Sequence, residues 1–180
     1  MKMNFKIKII VIIVASLTIF LGCGTKDSQN PAEYSDCLIV PEGAEQIHYY
    51  KMKGTDQVIF QLNERFPANS IIQHIDMKLK DMGWSRLEYD FMNPDIPSSF
   101  IRGWTSFIDG TKKPERDVWA WSSNWENKNG DIVGYSLRYD YPRNTQRNMT
   151  QMQAITIYYP SALAKQIIAD TDRIRKQMKD

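Results

Sequence analysis

The chain has few of the residues that most often carry out enzyme chemistry. It contains two cysteines and two histidines among 180 residues. A zinc site needs three or four ligands at suitable spacing, and Cys37, His48 and His74 show no such spacing. Ser98 and Ser99 lack the flanking glycines of a nucleophile elbow, and no glycine-rich phosphate loop is present. The sequence therefore predicts no catalytic residue, no metal and no cofactor.

The chain also lacks an apolar run long enough to span a membrane easily. The longest one, residues 9–21, has 13 residues. As a helix it would measure about 20 Å, which is shorter than a hydrocarbon core of about 30 Å. Three lysines precede the run, and Gly22 and Cys23 follow it. A basic head, a short apolar middle and a small residue before the break are typical of an export signal. The pattern favours a cleaved signal over a permanent span, and an uncleaved N-terminal anchor is the alternative.

Residues 20–23 read Phe-Leu-Gly-Cys. This ending resembles the lipobox of bacterial lipoprotein signal peptides, in which the cysteine is acylated and becomes the new N-terminus. The resemblance covers residues 1–23 only. It implies that residues 1–22 are removed, that Cys23 carries acyl chains such as palmitate, and that these chains hold the protein on a membrane of the bacterial cell envelope, outside the cytoplasm. Two or more chains are needed for stable anchoring.

No charge of one sign dominates the chain. Its formal net charge is +2, and without the three lysines of the signal it has 20 basic and 21 acidic residues. Such a chain has no broad positive field with which to hold a nucleic acid. The sequence therefore predicts no nucleic-acid partner.

Polarity divides the rest of the chain into a tether and one domain. Residues 23–36 are almost entirely polar, which predicts a flexible tether; a dozen such residues span roughly 20 Å. Residues 37–180 are enough for a single domain with its own core. Cys37 opens the apolar run 37–40, so we expect it to be a small buried hydrophobe. With Cys23 acylated, Cys37 has no partner for an intramolecular disulfide.

Alternating patterns predict most of the secondary structure. Residues 46–52 and 57–62 alternate across a glycine turn, as do residues 117–141 across Asn129-Gly130, so both regions are predicted hairpins. Residues 86–91, 100–108 and 152–159 are further predicted strands. Helices are expected from Ser70, with a stop at Gly83, and from Ser161. This order predicts an α+β fold with a mainly antiparallel sheet and two helices on one face. It is loosely similar to the helix-grip domains of lipoproteins that accompany outer-membrane assembly machinery, a similarity of element order without a residue motif.

Aromatic residues are the most unusual feature of the predicted domain. The chain has five tryptophans and nine tyrosines, all after the signal. Indole and phenol rings can stack on sugars, peptides or apolar ligands, but cross-strand aromatic pairs also stabilise sheets without any ligand. We favour the core interpretation, with Trp125 beside the turn as the most exposed member. The candidate ligand-binding residues are Trp119, Trp121, Trp125, Tyr135 and Tyr139.

These observations favour a non-enzymatic lipoprotein that binds an envelope protein or glycan. One alternative is a hydrolase of envelope glycans, since paired carboxylates can act as acid and base on a glycosidic bond. A second alternative is an immunity-type inhibitor of another envelope protein. The carboxylates available to a hydrolase in the predicted loops are Asp90, Asp95, Asp109, Glu115 and Asp117.

Overall fold

The fold is built on one antiparallel sheet. The computed structural model describes residues 26–27, 30–63, 69–107, 114–142 and 152–179, and their long strands number six. Two strands of two residues, a 3-10 helix (Pro31–Glu33) and two α-helices complete the described secondary structure, so the predicted α+β class is confirmed. The strands are β1 (Lys26–Asp27), β2 (Glu45–Met52), β3 (Thr55–Leu62), β4 (Ser85–Arg86), β5 (Phe100–Phe107), β6 (Pro114–Glu126), β7 (Ile132–Pro142) and β8 (Met152–Tyr159), and the helices are α1 (Asn69–Asp81) and α2 (Ser161–Lys179).

The last long strand, β8, lies in the centre of the sheet. Its order is β1-β2-β3-β8-β7-β6, and β4 and β5 both pair with the outer edge of β6. Every pairing is antiparallel. The predicted hairpins β2–β3 and β6–β7 are therefore present, and Gly54 and Gly130 in their turns have the positive φ angles that glycine adopts without strain.

Strand alternation gives the sheet one face that forms the main core. On neighbouring strands Trp125 lies opposite Val133, Tyr135 opposite Thr156, and Thr156 opposite Val58. These side chains therefore point to the same side of the sheet. We call this side the α1 face, because Ile71, Ile75 and Leu79 of α1 belong to the same buried cluster. Its most deeply buried apolar sheet residues are Val58, Phe60, Val133, Leu137, Met152 and Ala154.

Helix α1 ends as its sequence predicts. Gly83 has φ 82°, and the Trp84 amide donates to the Leu79 carbonyl at 2.9 Å. This bond closes the helix end in the manner of a left-handed glycine cap. It also turns Trp84 back into the core, where it is 8% exposed. The helix begins at Asn69, one residue before the predicted cap.

Helix α2 packs on the opposite face of the sheet, which corrects the prediction of two helices on one face. Ala164 forms a second buried cluster with Phe91 and Ile132. Ile132 precedes Val133 on β7, so the two side chains point to opposite sides of the sheet. The first turn of α2 is held there because Asp131 Oδ1 accepts a 2.8 Å hydrogen bond from the Ser161 amide. The likeness to helix-grip domains therefore does not extend to this placement.

The N-terminal segment of the domain begins earlier than predicted. Tyr34 was expected in the flexible tether, but it is 6% exposed and belongs to the main core. Its ring lies 5.0 Å from that of Tyr49, and Lys51 Nζ lies 5.4 Å from its centroid. The Ser35 amide also donates to Asp56 Oδ2 at 3.0 Å. Most residues of this segment are polar, but Tyr34 is buried in the core. The predicted tether boundary at residue 36 is therefore wrong.

The segment after α1 departs from the predicted strand over residues 86–91. Only Ser85–Arg86 pairs with β6, and the chain then forms a loop with one isolated bridge between Tyr89 and Pro97. Asp90 stabilises this loop, because its Oδ1 accepts from the amides of Met92 and Asn93. A carboxylate that binds the backbone two and three residues later favours a turn over an extended strand.

Candidate functional site

Three of the five candidate aromatic residues lie in the core. Trp121, Trp125 and Tyr135 are 2%, 1% and 1% exposed. The rings of Trp121 and Trp125 are 6.2 Å apart, and Trp125 meets Tyr135 edge-on at 5.7 Å. The core interpretation is therefore correct for these three, but the expectation that Trp125 is the most exposed member is wrong.

Trp125 is enclosed by α1 and by the short strand β4. Its Nε1 donates to Asp76 Oδ1 at 3.0 Å, and Arg86 binds the same oxygen at 2.8 Å. The Arg86 guanidinium also lies 5.4 Å from the Trp125 ring centroid. Indole needs a partner for its N–H when it is buried, and Asp76 provides one. Nothing in the local sequence indicates this contact, because its members come from three separate elements.

Tyr135 connects the sheet to the N-terminal segment. Its hydroxyl lies 3.0 Å from the carbonyl oxygens of both Cys37 and Ile39. Burial raises the pKa of Tyr135 well above its usual range, so the phenol stays neutral and able to donate. The residue thus holds residues 37–39 against the sheet, which is a structural role.

Trp119 and Tyr139 form the exposed end of the same aromatic row. They are register partners on β6 and β7, on the α1 face and one pair beyond Trp121 and Leu137. Trp119 is 45% exposed and Tyr139 is half-buried. The register position opposite Trp119 on β5 is Gly103, which carries no side chain. This Trp119–Tyr139 pair is the part of the candidate set that a ligand or partner can reach.

Two of the predicted carboxylates, Asp90 and Asp95, contact different partners in the described part of the chain. Asp90 Oδ2 accepts from Asn124 Nδ2 at 3.2 Å, while its other oxygen holds the turn described above. Asp95 Oδ2 lies 3.8 Å from Nη2 of Arg175 on α2. Glu115 and Asp117 belong to strand β6, although loops were predicted there. Asp109 lies outside the described residues. Asp90 therefore has a structural role that accounts for both of its oxygens.

A close backbone contact supports the Asp90–Asn124 bond. A Cβ atom on Gly134 would lie 2.8 Å from Asn124 Oδ1, closer than side chains tolerate. Asn124 is 6% exposed and pairs with Gly134 in register. A glycine inside a predicted strand is a sequence signal for such a close approach, although it does not identify the neighbour.

Cys37 is a buried thiol, as the sequence predicts. It is 1% exposed, and its Sγ lies 3.2 Å from Ser35 Oγ. Burial raises the pKa of Cys37 to about 11, so the thiol is protonated at neutral pH. Among the described residues, no group of three or more His, Cys, Asp or Glu side chains could hold a metal ion.

The predicted lipidation site, Cys23, and the signal over residues 1–22 lie outside the described residues. No helix in the described part of the chain is long and apolar enough to cross a membrane. No protein-family model matches the chain, and the curated proteins contain no match to it.

Proposed function

We propose that the chain is a bacterial envelope lipoprotein, anchored to a membrane through acylated Cys23, that binds an envelope glycan or protein without catalysis. Support for the anchor comes from the basic head, the short apolar run and the Gly22-Cys23 ending. Support for binding comes from one observation. Trp119 is 45% exposed on strand β6, whereas Trp121 and Trp125 on the same side of that strand are buried.

An exposed indole on a strand suits recognition for physical reasons. It offers a large flat apolar face at a small entropic cost, since an indole side chain has only two χ angles to fix on binding. Tyr139 beside it adds a second ring and a hydroxyl group. The hydrolase alternative is less well supported, since the Asp90 carboxylate already makes three hydrogen bonds within the domain.

The anchor has a direct test in the Cys23→Ala variant. We expect the wild-type protein to fractionate with membranes and its N-terminal peptide to begin at an acylated Cys23, as mass spectrometry would show. The Cys23→Ala variant should keep residues 1–22 or lose its acyl chains. Cys37→Ala is the matched control. The Cys37 thiol is buried, so we expect this variant to be cleaved and acylated at Cys23 as the wild type is. An unmodified Cys23 in the mature wild-type protein contradicts the anchor.

The binding surface has its own test in Trp119→Ala. Truncation of a central aromatic contact commonly costs 2 kcal/mol or more, which corresponds to roughly 30-fold weaker binding. We expect Trp119→Ala to lose co-sedimentation with isolated cell-wall glycan, or, if the partner is a protein, to lose photo-crosslinking through a probe at Tyr139 in intact cells.

Met77→Ala is the matched control for this experiment. Met77 is 60% exposed on α1 and follows Asp76, which contacts Trp125 at the other end of the aromatic row from Trp119, so the Met77→Ala protein should bind as the wild type does. Equal binding by Trp119→Ala and the wild type in both assays would remove the support for this surface.

A further inference from the structure

The apolar side of α2 continues past the part of the helix that packs on the domain. Residues 164, 167, 171, 174 and 178 follow one another at the three- and four-residue spacing that places side chains on one side of a helix. Ala164 is buried and Ile167 packs beside it, whereas Ile174 and Met178 are 49% and 50% exposed. The last turns of α2 therefore present an open apolar surface in line with a buried one.

The same turns of the helix are rich in basic residues. Residues 173–179, which we call the α2 end, hold four basic residues and no acidic residue. Two of them, Arg173 and Arg175, contact acidic side chains of the domain. Lys176 and, earlier in the helix, Lys165 are exposed and form no ion pair among the described residues. Their charges are therefore available to an anionic partner.

Charge is unevenly divided between α2 and the rest of the chain. Helix α2 has five basic and two acidic residues, a formal charge of +3. The other residues that follow the predicted signal, 23–160 and 180, have 15 basic and 19 acidic residues, a formal charge of −4. An anionic surface attracts α2 and repels the remainder of the domain, so it favours an orientation with α2 towards that surface.

We propose that the α2 end rests on the anionic phospholipid headgroups of the membrane that holds Cys23, with Ile174 and Met178 in the boundary between headgroups and acyl chains. Basic residues together with exposed aliphatic ones are typical of helices that lie in this boundary. The inference rests on the proposed lipid anchor, because an anchored domain stays at a high effective concentration beside the lipid, where a weak contact is sufficient.

This orientation agrees with the proposed binding surface. Helix α2 lies on one face of the sheet, and the Trp119–Tyr139 pair lies on the other, the α1 face. With α2 against the headgroups, the Trp119–Tyr139 pair is directed away from the membrane, where a glycan or protein can reach it.

Fluorescence quenching on vesicles tests the contact. The full chain, purified with its anchor, is added to preformed phosphatidylcholine vesicles with or without phosphatidylglycerol, all of which contain a headgroup spin-labelled lipid. A fluorophore is attached in a Cys37→Ala background to Gln177→Cys in the α2 end or to Met77→Cys on α1, since both native side chains are exposed. We expect the label at position 177 to lose most of its fluorescence only with phosphatidylglycerol, and the label at position 77 to keep most of its own on both vesicles.

Matched lysine variants separate α2 from general effects of charge. Lys165→Gln combined with Lys176→Gln should reduce the quenching at position 177 to the level without phosphatidylglycerol, because lysines near an anionic surface contribute directly to binding. Lys78→Gln combined with Lys80→Gln makes the same change of charge on α1 and should leave this quenching unchanged. All four lysines are exposed, so both double variants should fold as the wild type does.

Equal quenching at positions 177 and 77, equal quenching at position 177 with and without phosphatidylglycerol, or full quenching in the α2 lysine variant would overturn the proposal. A label at position 177 that no vesicle quenches also overturns it, and favours a protein as the partner of the α2 end. Vesicle flotation reports on the anchor separately. Protein that does not float contradicts the proposed function, whereas protein that floats without selective quenching contradicts only this inference.

Discussion

Trp125→Ala should lower the free energy of unfolding by about 3–5 kcal/mol, a large part of the roughly 5–15 kcal/mol typical of a domain. Trp125 is 1% exposed and contacts both Trp121 and Tyr135. Its removal leaves a cavity between the sheet and α1, and it also takes the indole N–H away from Asp76 Oδ1. A urea melt followed by circular dichroism measures the loss, and a variant that is unfolded without urea would agree with it.

Trp119→Ala is the matched comparison, since it makes the same substitution on the same face of the same strand. Trp119 is 45% exposed, so this change should alter the free energy of unfolding by no more than about 0.5–1 kcal/mol. Nearly equal melts for Trp125→Ala and the wild type would show that this part of the core is not packed as described. Equal large losses in both variants would show that Trp119 is buried.

Tyr34→Ala should destabilise the domain by about 3 kcal/mol, by analogy with truncation of other buried aromatic rings. The ring is 6% exposed, and it packs against Tyr49 and beneath the Lys51 ammonium group. A flexible tether would predict no effect at all. The measurement is the urea midpoint of the protein without residues 1–22, which excludes any contribution from the membrane.

Glu33→Ala controls for general effects of altering this segment. Glu33 is exposed and directly precedes Tyr34, and it should leave the urea midpoint nearly unchanged. A Tyr34→Ala midpoint equal to that of Glu33→Ala would restore the tether boundary that composition alone predicts.

Local patterns were sufficient for the elements whose signals are local. Alternation predicted β2, β3, β7 and β8, since a strand with one buried side repeats every two residues. The apolar stripe and the Gly83 stop predicted α1, because 3.6-residue spacing and a left-handed glycine both act within a few turns. The strand over residues 86–91 was wrong because Asp90 makes a turn that competes with alternation.

Only the tertiary structure shows which members of the aromatic row are exposed and which are buried. Trp119, Trp121 and Trp125 have the same alternation, so nothing in the pattern separates exposed from buried members. Helix α1 has 13 residues and is about 20 Å long, whereas the 13 residues of β6 extend roughly 43 Å. A helix of that length cannot cover the whole strand, and the contacts of Asp76 determine that the Trp125 end is covered.

The sequence by itself thus determined the fold class and most of the order of the elements, because periodicity acts locally, whereas the lipid anchor stays a prediction from the sequence. The tertiary structure decided which face receives α2, which aromatic rings are exposed and where the domain begins. Each of these depends on contacts between distant residues. Asp131 binds the start of α2, Asp76 binds Trp125, and Tyr34 packs on Tyr49. No local pattern encodes such pairings, since their free energy exists only after the chain has brought the two partners together.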